Sequence, residues 1–390
     1  MAFTEKYVSS LAGGSGNGLT AGTPFTWAQM VAEINGGLGA GIRYNVKADG
    51  VYARTAYDSM WAATGGTATS PVYIRGYKTT IGDGYLGRDS NGALITTNMP
   101  QLNYTDGRVE LSQRMVLESL SFAYTATGSG VDVFVQVNHW CSIIGCKIST
   151  ARTNGDSKII GLGGDWALHF ECDYFMTAAT GPNQQMAFST NTGVRVDSCR
   201  FICSCTTLPQ GIKCDDGIGF YGCLIKGAGS GAGLYADGNK VITIRNCTIT
   251  GWQDGIFWNT PSNDRTAWIA GNMITDNSRY GINLSTGTAW VGLIGPNRTR
   301  DNVSGDTSSS TLDWSQTGRI IPLVTTDTGG PATDYVNTSV NNYNLIQASP
   351  GKGVNVPKIS DLGAYGLPDP SGGGGSAVFH SLENFIIQPA

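Results

Sequence analysis

The chain has 390 residues, 55 of them glycine, and only 14% are charged where ~25% is usual. Hydrophobic residues at 40% and nine tryptophans exclude disorder as the main state, and a net charge of −4 with no Lys/Arg cluster excludes a nucleic-acid partner. No run of ~18 apolar residues is present to cross a membrane, and Met1-Ala2-Phe3-Thr4-Glu5-Lys6 lacks the basic and then apolar regions of a secretory signal, so a chain made in the cytoplasm without export is expected.

The first predicted element is a helix. Thr26-Trp27-Ala28-Gln29 reads as a capping box, Phe25 and Met30 are placed as its staple, and Trp27, Met30, Val31 and Ile34 form an apolar stripe stopped by Asn35-Gly36-Gly37. Tyr44–Lys47 and Val72–Arg75 alternate as strands. Residues 1–100 are therefore read as a cap helix and the first irregular coils.

From 101 to 320 the sequence repeats. Cys146, Cys172, Cys199, Cys223 and Cys247 each follow a small or polar residue and precede a short apolar strand; Leu120 starts the series, and Asn272 and Asn297 extend it, at spacings of 24 to 27 residues. A repeat of ~25 residues with no helical stretch and no Leu-x-x-Leu-x-Leu consensus predicts a right-handed single-stranded parallel β-helix, an all-β solenoid. Ile242 and Ile244, then Cys247 and Ile249 after a two-residue bend, should face one interior, as should Val194 and Val196 before Cys199 and Leu168 and Phe170 before Cys172. By that phase His169 faces outward. A third strand opens with glycine at Gly211, Gly233, Gly255 and Gly281. The repeated cysteines are read as reduced, small apolar fillers of one interior column. No metal site and no cofactor are expected, because only three histidines occur and no pair of Cys-x-x-Cys units does.

Beyond 320 the period fades. Residues 321–371 are read as a closing segment, 372–376 as a glycine-rich linker and 377–390 as an apolar tail whose Phe379, Leu382, Phe385 and Ile386 would dock on a partner.

These features resemble the pectate-lyase-like right-handed β-helix superfamily through roughly residues 110–310. Tyr343-Asn344-Leu345, Ser349-Pro350-Gly351 and Asp361-Leu362-Gly363-Ala364-Tyr365 look like the closing segment of bacterial and phage β-helix proteins, and Thr26-Trp27-Ala28 with Val46-Lys47-Ala48-Asp49-Gly50 looks like the start of others. The resemblance implies a phage virion component, such as a tailspike, fibre or capsid decoration, with other virion proteins and host surface polysaccharide as partners and a homotrimer as its assembly. An extracellular bacterial protein is the alternative. The Gly-His-Gly and Arg-Ile-Lys units of polygalacturonases are absent.

Two sites follow from stacking. Asp215, Asp237 and Asn259 lie four residues after successive strand glycines, so adjacent coils would bring the Asp215 and Asp237 carboxylates to ~5 Å, the spacing of a retaining glycosidase pair. The same pattern also fits corner residues that bond the backbone. Thr266-Ala267-Trp268 and Thr288-Ala289-Trp290 repeat one tripeptide, so their indoles should stack, either inside the core or outside as a sugar platform joined by Trp252 and Tyr235. A structural or glycan-binding component without turnover is thus the first expectation, and a polysaccharide-cleaving enzyme the second.

Overall fold

The computed structural model describes residues 3–345 apart from 61–65, 68, 126–132, 152–157, 178–184, 190–191, 207–209, 215–216, 237–241, 259–264, 285–289, 308–320, 327–334 and 338–341. Three strands recur per coil. In one coil they are Ile218–Tyr221, Leu224–Lys226 and Ala232–Ala236; in the next, Ile242–Arg245, Thr248–Thr250 and Asp254–Trp258. Every pairing between these coils is parallel and in register, with Phe220 beside Ile244, Ile225 beside Ile249 and Leu234 beside Ile256. The first and second strands belong to a 21-stranded sheet that turns a corner, and the third strands to a 10-stranded sheet. The result is a right-handed parallel β-helix whose inward residues form one continuous buried core.

The bend between first and second strands explains why the repeat is visible in the sequence. Ser119, Gly145, Glu171, Ser198, Gly222, Asn246 and Gly271 all hold φ between 52° and 72°. That left-handed conformation costs an ordinary residue ~1–2 kcal/mol, so glycine or a short polar side chain precedes the column at most coils. The column itself is buried, and its cysteines are free thiols. Two of them reach back one coil to the carbonyl three residues before their predecessor: Cys172 Sγ to Ile143 at 3.3 Å and Cys223 Sγ to Val196 at 3.5 Å. Asn272 and Asn297 continue the column and use their amide groups on the equivalent carbonyls of Ile244 and Ile269, at 2.9 and 3.0 Å. Thiol and amide therefore do the same job, with the amide the stronger donor.

The helix is Trp27–Glu33, capped by the reciprocal Thr26–Gln29 box, and it continues for one wider turn through Ile34–Leu38, where Gly37 reverses at φ 78°. Trp27 Nε1 donates to buried Asp58 at 2.8 Å, and Tyr104 and Arg54 bond the same carboxylate. At the other end the parallel stack runs past 320: Ile321–Thr326 pairs with Trp290–Arg300. Tyr335–Asn337 and Asn342–Leu345 form a separate antiparallel pair.

One phase prediction fails. His169 is fully buried, and Leu168 and Phe170 are only half-buried. His169 is paired with Val196, so the inward position is the third residue before each column cysteine. The wrong reading placed Leu168 and Phe170 inside because both are apolar, although they sit four and two residues before Cys172.

Candidate functional site

Trp268 lies on the first-strand face, points outward and is 40% exposed. Arg245 of the preceding coil sits over its ring, 4.5 Å from the centroid. The same device occurs two coils earlier, with Arg195 4.9 Å over the ring of Tyr221. In both cases the arginine comes from the coil before the aromatic, so cations and rings alternate along the long axis. Each such pair contributes ~0.5–1 kcal/mol at an exposed site. Arg195 is also held at 2.7 Å by Asp197, whereas no carboxylate among the described residues pairs with Arg245.

The strand register does not place Trp290 opposite Trp268. Trp268 is paired with Leu293, 25 residues on, whereas Trp290 is only 22 residues on and falls opposite Arg265. The side chain of Trp290 lies outside the described residues. Identical tripeptides at a spacing shorter than the coil are out of register, which the repeat length alone would have revealed.

Trp252 is not part of an exposed patch either. It is fully buried, with Nε1 donating to the Ile225 carbonyl at 3.2 Å. Its indole fills the space left by the strand glycines: a Cβ at Gly211 or Gly233 would come within 2.7 or 2.9 Å of the ring. In earlier coils the equivalent positions carry Phe134, Ile159 and Met186, all buried. The glycines thus make room for one large side chain where several medium ones stood before.

Tyr235 is half-buried on the outer face of the third-strand sheet and meets Phe257 of the next coil at 5.4 Å. It therefore lies on a different face from Trp268, and the two do not join. Below this pair, buried Asp254 is bound by Arg279 and accepts from Asn283 at 3.1 Å.

Asp215, Asp237 and Asn259 lie outside the described residues. The preceding positions, Cys214, Ala236 and Trp258, are in register on consecutive coils. Phe379, Leu382, Phe385 and Ile386 also lie outside the described residues. Among the described coil carboxylates, Asp173 is buried between Arg88 and Arg200, Asp197 is held by Arg195 and Asp254 by Arg279. Glu171 receives the hydroxyl of Tyr85. No group of three His, Cys, Asp or Glu side chains among the described residues is arranged to hold a metal ion.

Trp140 and Trp166 form a further exposed pair that the cysteine repeat does not mark. Both are exposed, at 44% and 60%, and stand at the corner before the first strand on consecutive coils. Their 26-residue spacing equals that of Cys146 and Cys172, so extending the repeat six residues upstream of the cysteines would have aligned them.

No protein-family model and no curated protein matches this chain. Among solved structures, the pectate lyase Pel9A is similar to it with a TM-score of 0.49 and 13% sequence identity, over 93% of this chain and 96% of that one.

Proposed function

We propose that this chain is a carbohydrate-binding β-helix that works without turnover, as a surface component of a phage virion. The observation that carries the binding reading is Trp268, exposed on a rigid sheet face with Arg245 beside its ring. An aromatic ring in that setting offers an apolar platform to the C–H face of a sugar, and the guanidinium beside it offers donors to the hydroxyls. Rigid strands fix both groups before binding, so little entropy is lost when a chain of sugars docks. Absence of turnover is favoured by the cations and donors that occupy Asp173, Asp197, Asp254 and Glu171, since a general acid and base must be free to exchange protons. The virion setting is supported by the resemblance of the closing segment to those of phage β-helix proteins.

The test is to incubate the purified chain with surface polysaccharide of candidate hosts and to measure both retention and chain length. Retention without shortening, weakened about tenfold by Trp268→Ala, is the expected result. Shortened chains would overturn the reading. They would favour a hydrolytic one centred on Asp215 and Asp237, whose preceding residues, Cys214 and Ala236, are paired on adjacent coils.

A further inference from the structure

The corner that precedes the first strand is left-handed on four consecutive coils: Arg114 at φ 59°, Trp140 at 56°, Trp166 at 61° and Gly193 at 75°. Backbone bonds run from one corner to the next, from Arg114 N–H to His139 O at 3.1 Å, Trp140 N–H to Asp165 O at 2.9 Å and Trp166 N–H to Thr192 O at 3.2 Å. The position asks for glycine, and Gly193 supplies it. Tryptophan meets the demand badly, because its Cβ crowds the backbone in this region. Two successive coils nevertheless carry it, and neither indole is buried in exchange. A bulky residue kept in a costly conformation while much of its side chain stays exposed, with the Trp166 ring covering only Gly193 of the next corner, points to a role outside folding.

The neighbours of the two indoles are polar and specific. Asp165 N–H donates to His139 Nδ1 at 3.0 Å, so the neutral imidazole carries its proton on Nε2 and can donate it outward. Asp165 Oδ1 accepts from the amide and hydroxyl of Thr192, at 3.3 and 3.1 Å, and Oδ2 lies 3.5 Å from His139 Nδ1. Arg114 lies 4.8 Å over the ring of Trp140. The corner therefore carries two exposed indoles whose backbone positions are one coil, ~4.8 Å, apart, together with a hydroxyl donor and a hydroxyl acceptor. Its one cation and one carboxylate leave it without net charge.

We infer that Trp140 and Trp166, with His139 and Asp165, form a second carbohydrate site that takes the ring of a neutral hexopyranose. The indoles contact the C–H face of the sugar while His139 Nε2 and Asp165 Oδ2 bond its hydroxyls. The choice of ligand class rests on the reading of this chain as a carbohydrate binder; the site itself rests on the corner geometry.

The experiment titrates the full chain with cellohexaose, maltohexaose and mannohexaose, followed by tryptophan fluorescence and calorimetry, in parallel with Trp140→Gly, Trp166→Gly and Trp268→Ala. Glycine suits the left-handed corner, so both glycine variants should keep or raise the thermal midpoint. Each should weaken association with at least one of the three sugars about tenfold, with Trp268→Ala leaving that association unchanged. Binding that survives both glycine variants and is lost in Trp268→Ala overturns the corner site and leaves the Trp268 face standing. Failure of all three sugars to bind the parent chain overturns the corner site, while retention on host polysaccharide still judges the Trp268 face. A marked fall in thermal midpoint in the glycine variants assigns the indoles to folding, and self-association abolished by Trp166→Gly assigns the corner to contacts between copies; either overturns the inference.

Discussion

His169 Nδ1 lies 2.8 Å from the hydroxyl of Tyr174, and its Nε2 lies 3.0 Å from the carbonyl of Leu162. A carbonyl only accepts, so Nε2 carries the proton and Nδ1 accepts from Tyr174. The imidazole is thus satisfied as a neutral group. Burial lowers its pKa from 6.5 to about 4. Between those values the unfolded chain binds a proton that the folded chain excludes, so stability is present at neutral pH and falls as the pH drops through that window. From pH 7 to pH 5 the loss is about 2 kcal/mol. Urea midpoints at the two pH values should show it, and His169→Gln should flatten the dependence over that range.

Gly227→Ala should destabilise the coil by ~1–3 kcal/mol, because the new methyl group would press on the Trp252 indole, within 2.7 Å of Cε2, and on the Gly251 carbonyl at 2.8 Å. Neither the fully buried ring nor the backbone has room to retreat. Gly36→Ala meets nothing within 4 Å and serves as the control. Thermal melts of the two variants side by side should separate them; equal melting temperatures would mean that Trp252 does not fill the glycine-lined space tightly.

The loop 78–98 is fastened across the second-strand face at Asp173, with further bonds from Arg88 to the Ser198 carbonyl and from Tyr85 to Glu171. Asp173 accepts from Arg88 at 2.6 Å and from the Leu94 amide at 3.0 Å, and Arg200 approaches at 3.5 Å. Asp173→Ala leaves the buried Arg200 charge and the Leu94 amide without their partner, an arrangement that costs ~3–5 kcal/mol. Limited proteolysis should then cut within 78–98 while the far-ultraviolet signal of the sheets persists. A loop that stays resistant would show that the Tyr85–Glu171 and Arg88–Ser198 bonds suffice to fasten it.

The interior of this protein was legible in the sequence. Cysteine and asparagine recur there because every coil presents the same slot and the same carbonyl to be bonded, and the residue before them is small or polar because the bend is left-handed. The cap helix was legible from Thr26 and Gln29 for a similar reason, since a capping box is made within four residues. His169 was misread because alternation was judged from apolar neighbours rather than counted back from Cys172.

The outer surface was another matter. Repeat and alternation determine which residues face inward, and they do so locally, through strand geometry and the demand for a continuous core. They place no such demand on outward residues, whose partners lie a whole coil away and shift whenever a corner gains or loses residues. Only the tertiary structure set Trp268 under Arg245 rather than beside Trp290, put Trp252 beneath glycines from neighbouring coils, and carried Arg88 to Asp173. It also raised Trp140 and Trp166 on adjacent corners, because the pairing of coils, unlike the pattern within one, is decided by the summed length of every bend between them.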